Sequence, residues 1–110
     1  MKDVTLKFVN FKDNGEYRVM VFSGDEGAEI TTSHKEIAQS VHEFCKALLA
    51  QMKIEPCAPF IELTKDKDGK YTVAAVFNDT GDTLLFCTQD KQIAESAKIF
   101  IQDFVDMARE

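Results

Sequence analysis

Thr32-Ser33-His34-Lys35-Glu36-Ile37-Ala38-Gln39-Ser40 and Thr88-Gln89-Asp90-Lys91-Gln92-Ile93-Ala94-Glu95-Ser96 decide the fold of this 110-residue chain. Thr, Lys, Ile, Ala and Ser recur in register between the two stretches. The register runs on, matching Val41 with Ala97, Phe44 with Phe100, Leu48 with Phe104 and Leu49 with Val105. Both stretches have helical periodicity. Ile37, Val41, Phe44 and Leu48 form one stripe, widened by Ala38, Cys45, Leu49 and Met52. Ile93, Ala97, Phe100 and Phe104 form the other, widened by Ala94, Ile101, Val105 and Ala108. Spacings of three and four place each set on one helix face. Ser33 with Glu36 has the pattern of a capping box for the first helix. Asp90 or Thr88 is the expected cap of the second.

Working upstream from each helix, the alternation changes to a period of two. Gly15-Glu16-Tyr17-Arg18-Val19-Met20-Val21-Phe22 resembles Gly69-Lys70-Tyr71-Thr72-Val73-Ala74-Ala75-Val76-Phe77. Each follows a hairpin signal, Asp13-Asn14-Gly15 or Asp68-Gly69. Val4 to Val9 and Phe60 to Thr64 supply the strands before these turns. Gly24 to Gly27 and Asn78 to Asp82 are turns again, leading into third strands over Ala28–Thr31 and Thr83–Cys87. The offset between the copies drifts only at turns, where insertions are tolerated. The expected fold is therefore α+β: duplicated βββα units forming a mainly antiparallel sheet, with two helices packed on one face. Residues 1–110 read as a single domain of two pseudo-repeats, about 3–53 and 59–110, joined by the stretch Lys53 to Pro59 with its two prolines.

The composition suits a globular protein, with 45% hydrophobic and 29% charged residues. A net charge of −6 repels nucleic-acid phosphates, and no run of Lys and Arg reverses it locally. Met1-Lys2-Asp3 leads into alternation rather than the apolar run of a signal peptide, and no stretch reaches the roughly 20 apolar residues of a membrane span. The expectation is a cytoplasmic protein with no membrane association. Cys45, Cys57 and Cys87 are odd in number and irregularly spaced, which argues against a disulfide framework.

Motifs for chemistry are weak. Asp79-Thr80-Gly81 matches the short aspartic-protease signature, but Asp82 stands where a small residue belongs, and the first repeat has no matching triplet. It reads as a hairpin turn. Asp66-Lys67-Asp68-Gly69 resembles the start of a calcium loop, yet Phe77 occupies the terminal Glu position, so a turn is again expected. His42 and Cys45 lie three apart on a helix, with His34 and Cys57 elsewhere. Cys45 falls in the apolar stripe and reads as a core thiol. His34, His42 and all three cysteines are unshared between the repeats. No catalytic residue, metal ligand or cofactor is assigned.

Strand parity points to a surface instead. Val4, Leu6, Phe8, Tyr17, Val19, Val21, Ile30, Tyr71, Val73, Ala75, Phe77, Leu84 and Phe86 form the face expected beneath the helices. Lys7, Val9, Arg18, Met20, Phe22, Thr72, Ala74, Val76, Leu85 and Cys87 form the other, which is more apolar than a solvated face. Arg18, Met20, Phe22, Val76 and Leu85 are the expected contacts for a protein partner or a second copy.

The stretch Asp66 to Val73, with its charged hairpin turn, and Thr88 through Ala97 resemble the small βββα domain of HicB-type antitoxins. That family's Pro-rich middle stretch and its appended DNA-binding segment are missing. The resemblance implies a non-enzymatic, protein-binding module. The expected function is thus a protein-interaction module, a small regulator or inhibitor acting through an exposed sheet face. The alternative is a small-molecule binder or enzyme with a pocket between the repeats, where Tyr17 and Tyr71 would be candidates.

Overall fold

Two hairpins with the same chemistry start the two units. Gly15 (φ 67°) and Gly69 (φ 81°) take the left-handed backbone that closes each turn. Asn14 Oδ1 accepts from the Glu16 N–H at 3.2 Å, and Asp66 Oδ1 accepts from the N–H groups of Asp68 and Lys70, both at 2.9 Å. Asp66 therefore builds the turn with the oxygen that a calcium loop would offer to an ion. In the computed structural model, which describes residues 3–11 and 13–109, these turns join β1 (Thr5–Phe11) to β2 (Glu16–Ser23) and β4 (Phe60–Lys65) to β5 (Tyr71–Val76). The third strands are β3 (Glu26–Thr32) and β6 (Thr83–Thr88), followed by α1 (Lys35–Ile54) and α2 (Lys91–Arg109).

The α+β, twice-βββα architecture is as expected, with one difference in the sheet. The strands form two separate antiparallel sheets, β1-β2-β3 and β4-β5-β6, and not one hydrogen-bonded sheet of six. The registers are equivalent: Leu6↔Val21 and Phe8↔Val19 in the first sheet correspond to Ile61↔Ala75 and Leu63↔Val73 in the second. Parity is fixed by burial, because a slip of one residue would turn every core side chain to solvent.

The helices bind the units together. Besides its own three strands, α1 packs along β6, and α2 packs along β3 and β2. The apolar stripes account for this reach. Val41, Cys45, Leu48, Ile101 and Phe104 have no solvent exposure, and they share one core with Val19, Val21, Val73 and Ala75. Each Val, Leu, Ile or Phe among them contributes roughly 1.5–3 kcal/mol of burial. Among the described residues, the core is thus continuous across both halves.

The helix starts differ in chemistry. Asp90 caps α2, its Oδ1 accepting from the N–H groups of Gln92 (2.9 Å) and Ile93 (3.2 Å). The residue in the same register of the first unit is His34, which caps α1 with no side-chain hydrogen bond. The Ser33–Glu36 capping box is therefore not formed. The helix begins one residue later than that pattern requires, at Lys35 after His34. In both units the preceding threonine holds the entry instead: Thr32 Oγ1 accepts from the His34 N–H at 3.1 Å, and Thr88 Oγ1 from the Asp90 N–H at 3.2 Å.

The molecule measures 41 × 40 × 17 Å. A 17 Å thickness holds two backbone layers, which pack about 10 Å apart, and leaves no room for a third. Both helices lie on one side, so the opposite faces of both sheets are open.

Candidate functional site

The open faces are built from cross-strand rows. On the first sheet the rows are Thr5–Phe22–Gly27, Lys7–Met20–Glu29 and Val9–Arg18–Thr31, with Phe11 opposite Glu16 at one end. On the second they are Phe60–Val76–Thr83, Glu62–Ala74–Leu85 and Thr64–Thr72–Cys87.

On the first face cationic side chains lie over two aromatic rings, while Met20 and Phe22 line a shallow groove with Gly27, Ala28 and Glu29. The Arg18 guanidinium lies 4.4 Å from the Phe11 ring centroid and reaches Glu16 (3.5 Å) and Glu29 (3.8 Å). The Lys7 ammonium sits 5.9 Å from the Phe22 ring centroid. That ring also folds over Gly27, 3.1 Å from where a Cβ would stand. Long cationic side chains laid on aromatic faces keep the charge in water while shielding the ring. Met20 stands between Lys7 and Glu29.

The second face lacks this covering. Glu62 is the only charged side chain in its three rows. Phe60 is 64% exposed and Leu85 61% exposed, with half-buried Val76 and Ala74 between them. At the polar end, Thr72 Oγ1 and Cys87 Sγ are 3.5 Å apart. Ile99, 64% exposed, lies on α2. A groove lined by Pro59, Phe60, Ile61 and Gln102 and another on α2 lined by Lys98, Ile99, Gln102 and Asp103 have Gln102 in common.

The registers allow a position-by-position comparison. Phe60 corresponds to Thr5, Leu85 to Glu29 and Glu62 to Lys7; in the helices Ile99 corresponds to Glu43. Three of the four large apolar residues most exposed in the described chain thus belong to the second unit, where the first has polar ones; the fourth is Ile54 at the end of α1. Charge follows the same division. Residues 55–110 hold eleven Asp and Glu against six Lys and Arg, a net −5, whereas residues 1–54 hold eight against seven, a net −1.

The five contacts expected from sequence all lie on the open faces, divided between the sheets: Arg18, Met20 and Phe22 on the first, Val76 and Leu85 on the second. Phe60 and Ile99 were not among them, although aligning the repeats would have shown both as apolar replacements of Thr5 and Glu43. Tyr17 packs near Phe8, with ring centroids 6.1 Å apart, and Tyr71 lies beneath the Lys65 ammonium at 5.7 Å, so each is engaged within its own unit.

The remaining motifs serve structure. Asp79-Thr80-Gly81 is the β5–β6 turn, closed by the Gly81 N–H donating to the Phe77 carbonyl at 2.7 Å. The Thr80 hydroxyl donates to Glu55 Oε1 (2.7 Å), which also accepts from Gln51 Nε2 (2.8 Å). Glu55 is buried there, tying the end of α1 to the turn. The exposed Cys57 thiol is hydrogen-bonded to Asp79, and this contact and the Asp79 charge hold its pKa above the ordinary thiol value. Cys45 is fully buried, which pushes its pKa up to about 12. His42 packs edge-on to Phe8, with centroids 5.7 Å apart. Among the described residues no three His, Cys, Asp or Glu side chains are placed to hold a metal ion. Among the described residues no helix is long and apolar enough to cross a membrane. No known protein family, curated protein or solved structure matches the chain.

Proposed function

We propose that this protein is a non-catalytic interaction module that engages another protein through the open face of its second sheet. One observation carries the reading. At equivalent positions of two otherwise matching units, the second exposes Phe60 and Leu85 where the first has Thr5 and Glu29. Since the same fold forms with polar groups at these places, folding does not require the apolar ones. A contiguous apolar patch that folding does not require is the usual mark of an interface. The likeness to the HicB-type domain points to the same class of function.

Arg18, Met20 and Phe22 take a smaller part in this proposal than Val76 and Leu85. Lys7 already lies over the Phe22 ring, and Arg18 is engaged by Phe11, Glu16 and Glu29. A photo-reactive phenylalanine analogue placed at Leu85, and separately at Glu29, tests the assignment in the cells that make the protein. The expected result is a discrete cross-linked species from position 85 and none from position 29. Equal labelling from both positions, or none from 85, would sink the proposal.

A further inference from the structure

From the size and charge of this face, and resting on the interaction reading above, we infer that its occupant is a cationic amphipathic helix of another protein, lying across β4, β5 and β6 on the side opposite α2. Size excludes a second copy as the simplest occupant. Three strands about 4.8 Å apart and six residues long present roughly 14 × 20 Å, on the order of 300 Å². A stable dimer needs about 800 Å² from each partner. The patch is well short of that, but it suits one helix, which is about 10–12 Å across. A length of about 20 Å corresponds to roughly 13 helical residues.

The inner face of the same sheet shows helices already in this use, since β4 and β5 are covered there by α2, and β6 by α1 together with α2. An open apolar sheet face is most simply buried by a helix. Phe60, Val76, Ala74 and Leu85 run diagonally over the sheet and would meet the apolar stripe of the incoming helix.

Charge sets the partner's sign. The second unit carries −5 of the chain's −6, so two such units repel each other and attract a basic segment. Glu62 lies in the central row beside Ala74 and Leu85. Glu62 has no cation at ion-pair distance among the described residues. By contrast, Lys7 and Glu29 of the first face meet oppositely charged or aromatic neighbours on their own sheet.

The test uses the whole protein and three synthetic 14-residue peptides. One has Leu at helical spacing and Lys elsewhere, one has the same Leu spacing with Glu, and one has the Leu and Lys composition scrambled. Binding is followed by fluorescence anisotropy at several salt concentrations, and the site by amide chemical-shift changes. The Lys peptide is expected to bind, to gain helicity and to shift amides of β4–β6. The Glu and scrambled peptides are expected to bind at least about tenfold more weakly. The Phe60→Thr/Leu85→Gln double variant, neutral in charge, should weaken the Lys peptide about tenfold. Glu62→Lys, which installs the first unit's residue, should weaken it about three- to tenfold and reduce the salt dependence.

The outcomes separate the two claims. If the double variant abolishes binding while Glu and Lys peptides bind alike, the interaction face stands and the cationic partner is overturned. If the Lys peptide shifts other amides, or the double variant binds as well as wild type, both claims fall. Concentration-dependent dimerisation that is lost in the double variant would replace the helix by a second copy and overturn the inference.

Discussion

The open faces of the two sheets are the same backbone with opposite surface chemistry. On the first, Lys7 lies over Phe22 and Arg18 over Phe11, with Arg18 paired to Glu16 and Glu29. On the second, the equivalent places hold Glu62, Thr72 and Leu85 beside an exposed Phe60. The inner faces, meanwhile, remain alike. The difference teaches that packing against the helices constrains both copies equally, and that the outer faces are free to diverge because no third layer rests on them.

The comparison breaks most visibly in the core if the units are independent. Phe104 and Leu48 occupy the same helical register and have no exposure. Phe104→Ala is expected to cost about 3–5 kcal/mol and Leu48→Ala about 2–5 kcal/mol. Because each helix packs along a strand of the other unit, both variants should lower one shared unfolding transition, measured by denaturant titration with circular dichroism. Two separate transitions would show that the halves fold alone.

A smaller effect distinguishes the connection between the units. Glu55 Oε1 receives hydrogen bonds from Gln51 and Thr80 while buried, so Glu55→Ala leaves both donors without that acceptor. The expected loss is about 1–3 kcal/mol by the same titration. An unchanged midpoint would mean that the contact is not formed in solution.

The helix caps sharpen the comparison in both directions. Asp90→Ala should destabilise by about 1 kcal/mol, and His34→Asp should stabilise by a similar amount, because it supplies α1 with the acceptor that α2 already has. Thermal melts of the two single variants and of the double variant provide the check, with the double variant returning near wild type.

The smallest effect is on thiol chemistry at the β5–β6 turn. Thiolate is the reactive form, and Asp79 raises the Cys57 pKa by hydrogen bonding and by charge. The alkylation rate of Cys57 should therefore rise at a higher pH than for an ordinary thiol. Asp79→Asn should move the rate profile to lower pH, with a few-fold faster reaction near pH 8. Mass spectrometry of iodoacetamide-treated protein reads this, and buried Cys45 should stay unmodified throughout.

Much of this architecture was legible because the repeats preserve what packing needs. The Thr-to-Ser register at Thr32 and Thr88, the helical stripes and the turn glycines each specify local structure, and together they gave the units and the two faces. The separation into two sheets was not legible, since strand alternation sets which face a side chain takes and not which edge strands pair. Nor was His34 as the start of α1: Ser33 and Glu36 have the composition of a box, but the register shared with Asp90 places the cap one residue on. For the candidate surface, parity put Arg18, Met20, Phe22, Val76 and Leu85 on the open faces, where the registers have them. It could not show that Arg18 and Lys7 lie over aromatic rings, which is a matter of side-chain reach rather than of pattern.

The measurement closest to the central claim exchanges the two faces. One variant gives the second unit the polar residues of the first, Phe60→Thr with Leu85→Glu. Another gives the first unit the apolar ones, Thr5→Phe with Glu29→Leu. A neutral apolar dye such as Nile red reports accessible apolar surface by its fluorescence, and chemical-shift changes locate it. The account predicts dye on β4–β6 of the wild type, little dye on the first variant, and new binding on β1–β3 of the second. Undiminished binding at β4–β6 in the first variant, or binding on both sheets of the wild type, would contradict it.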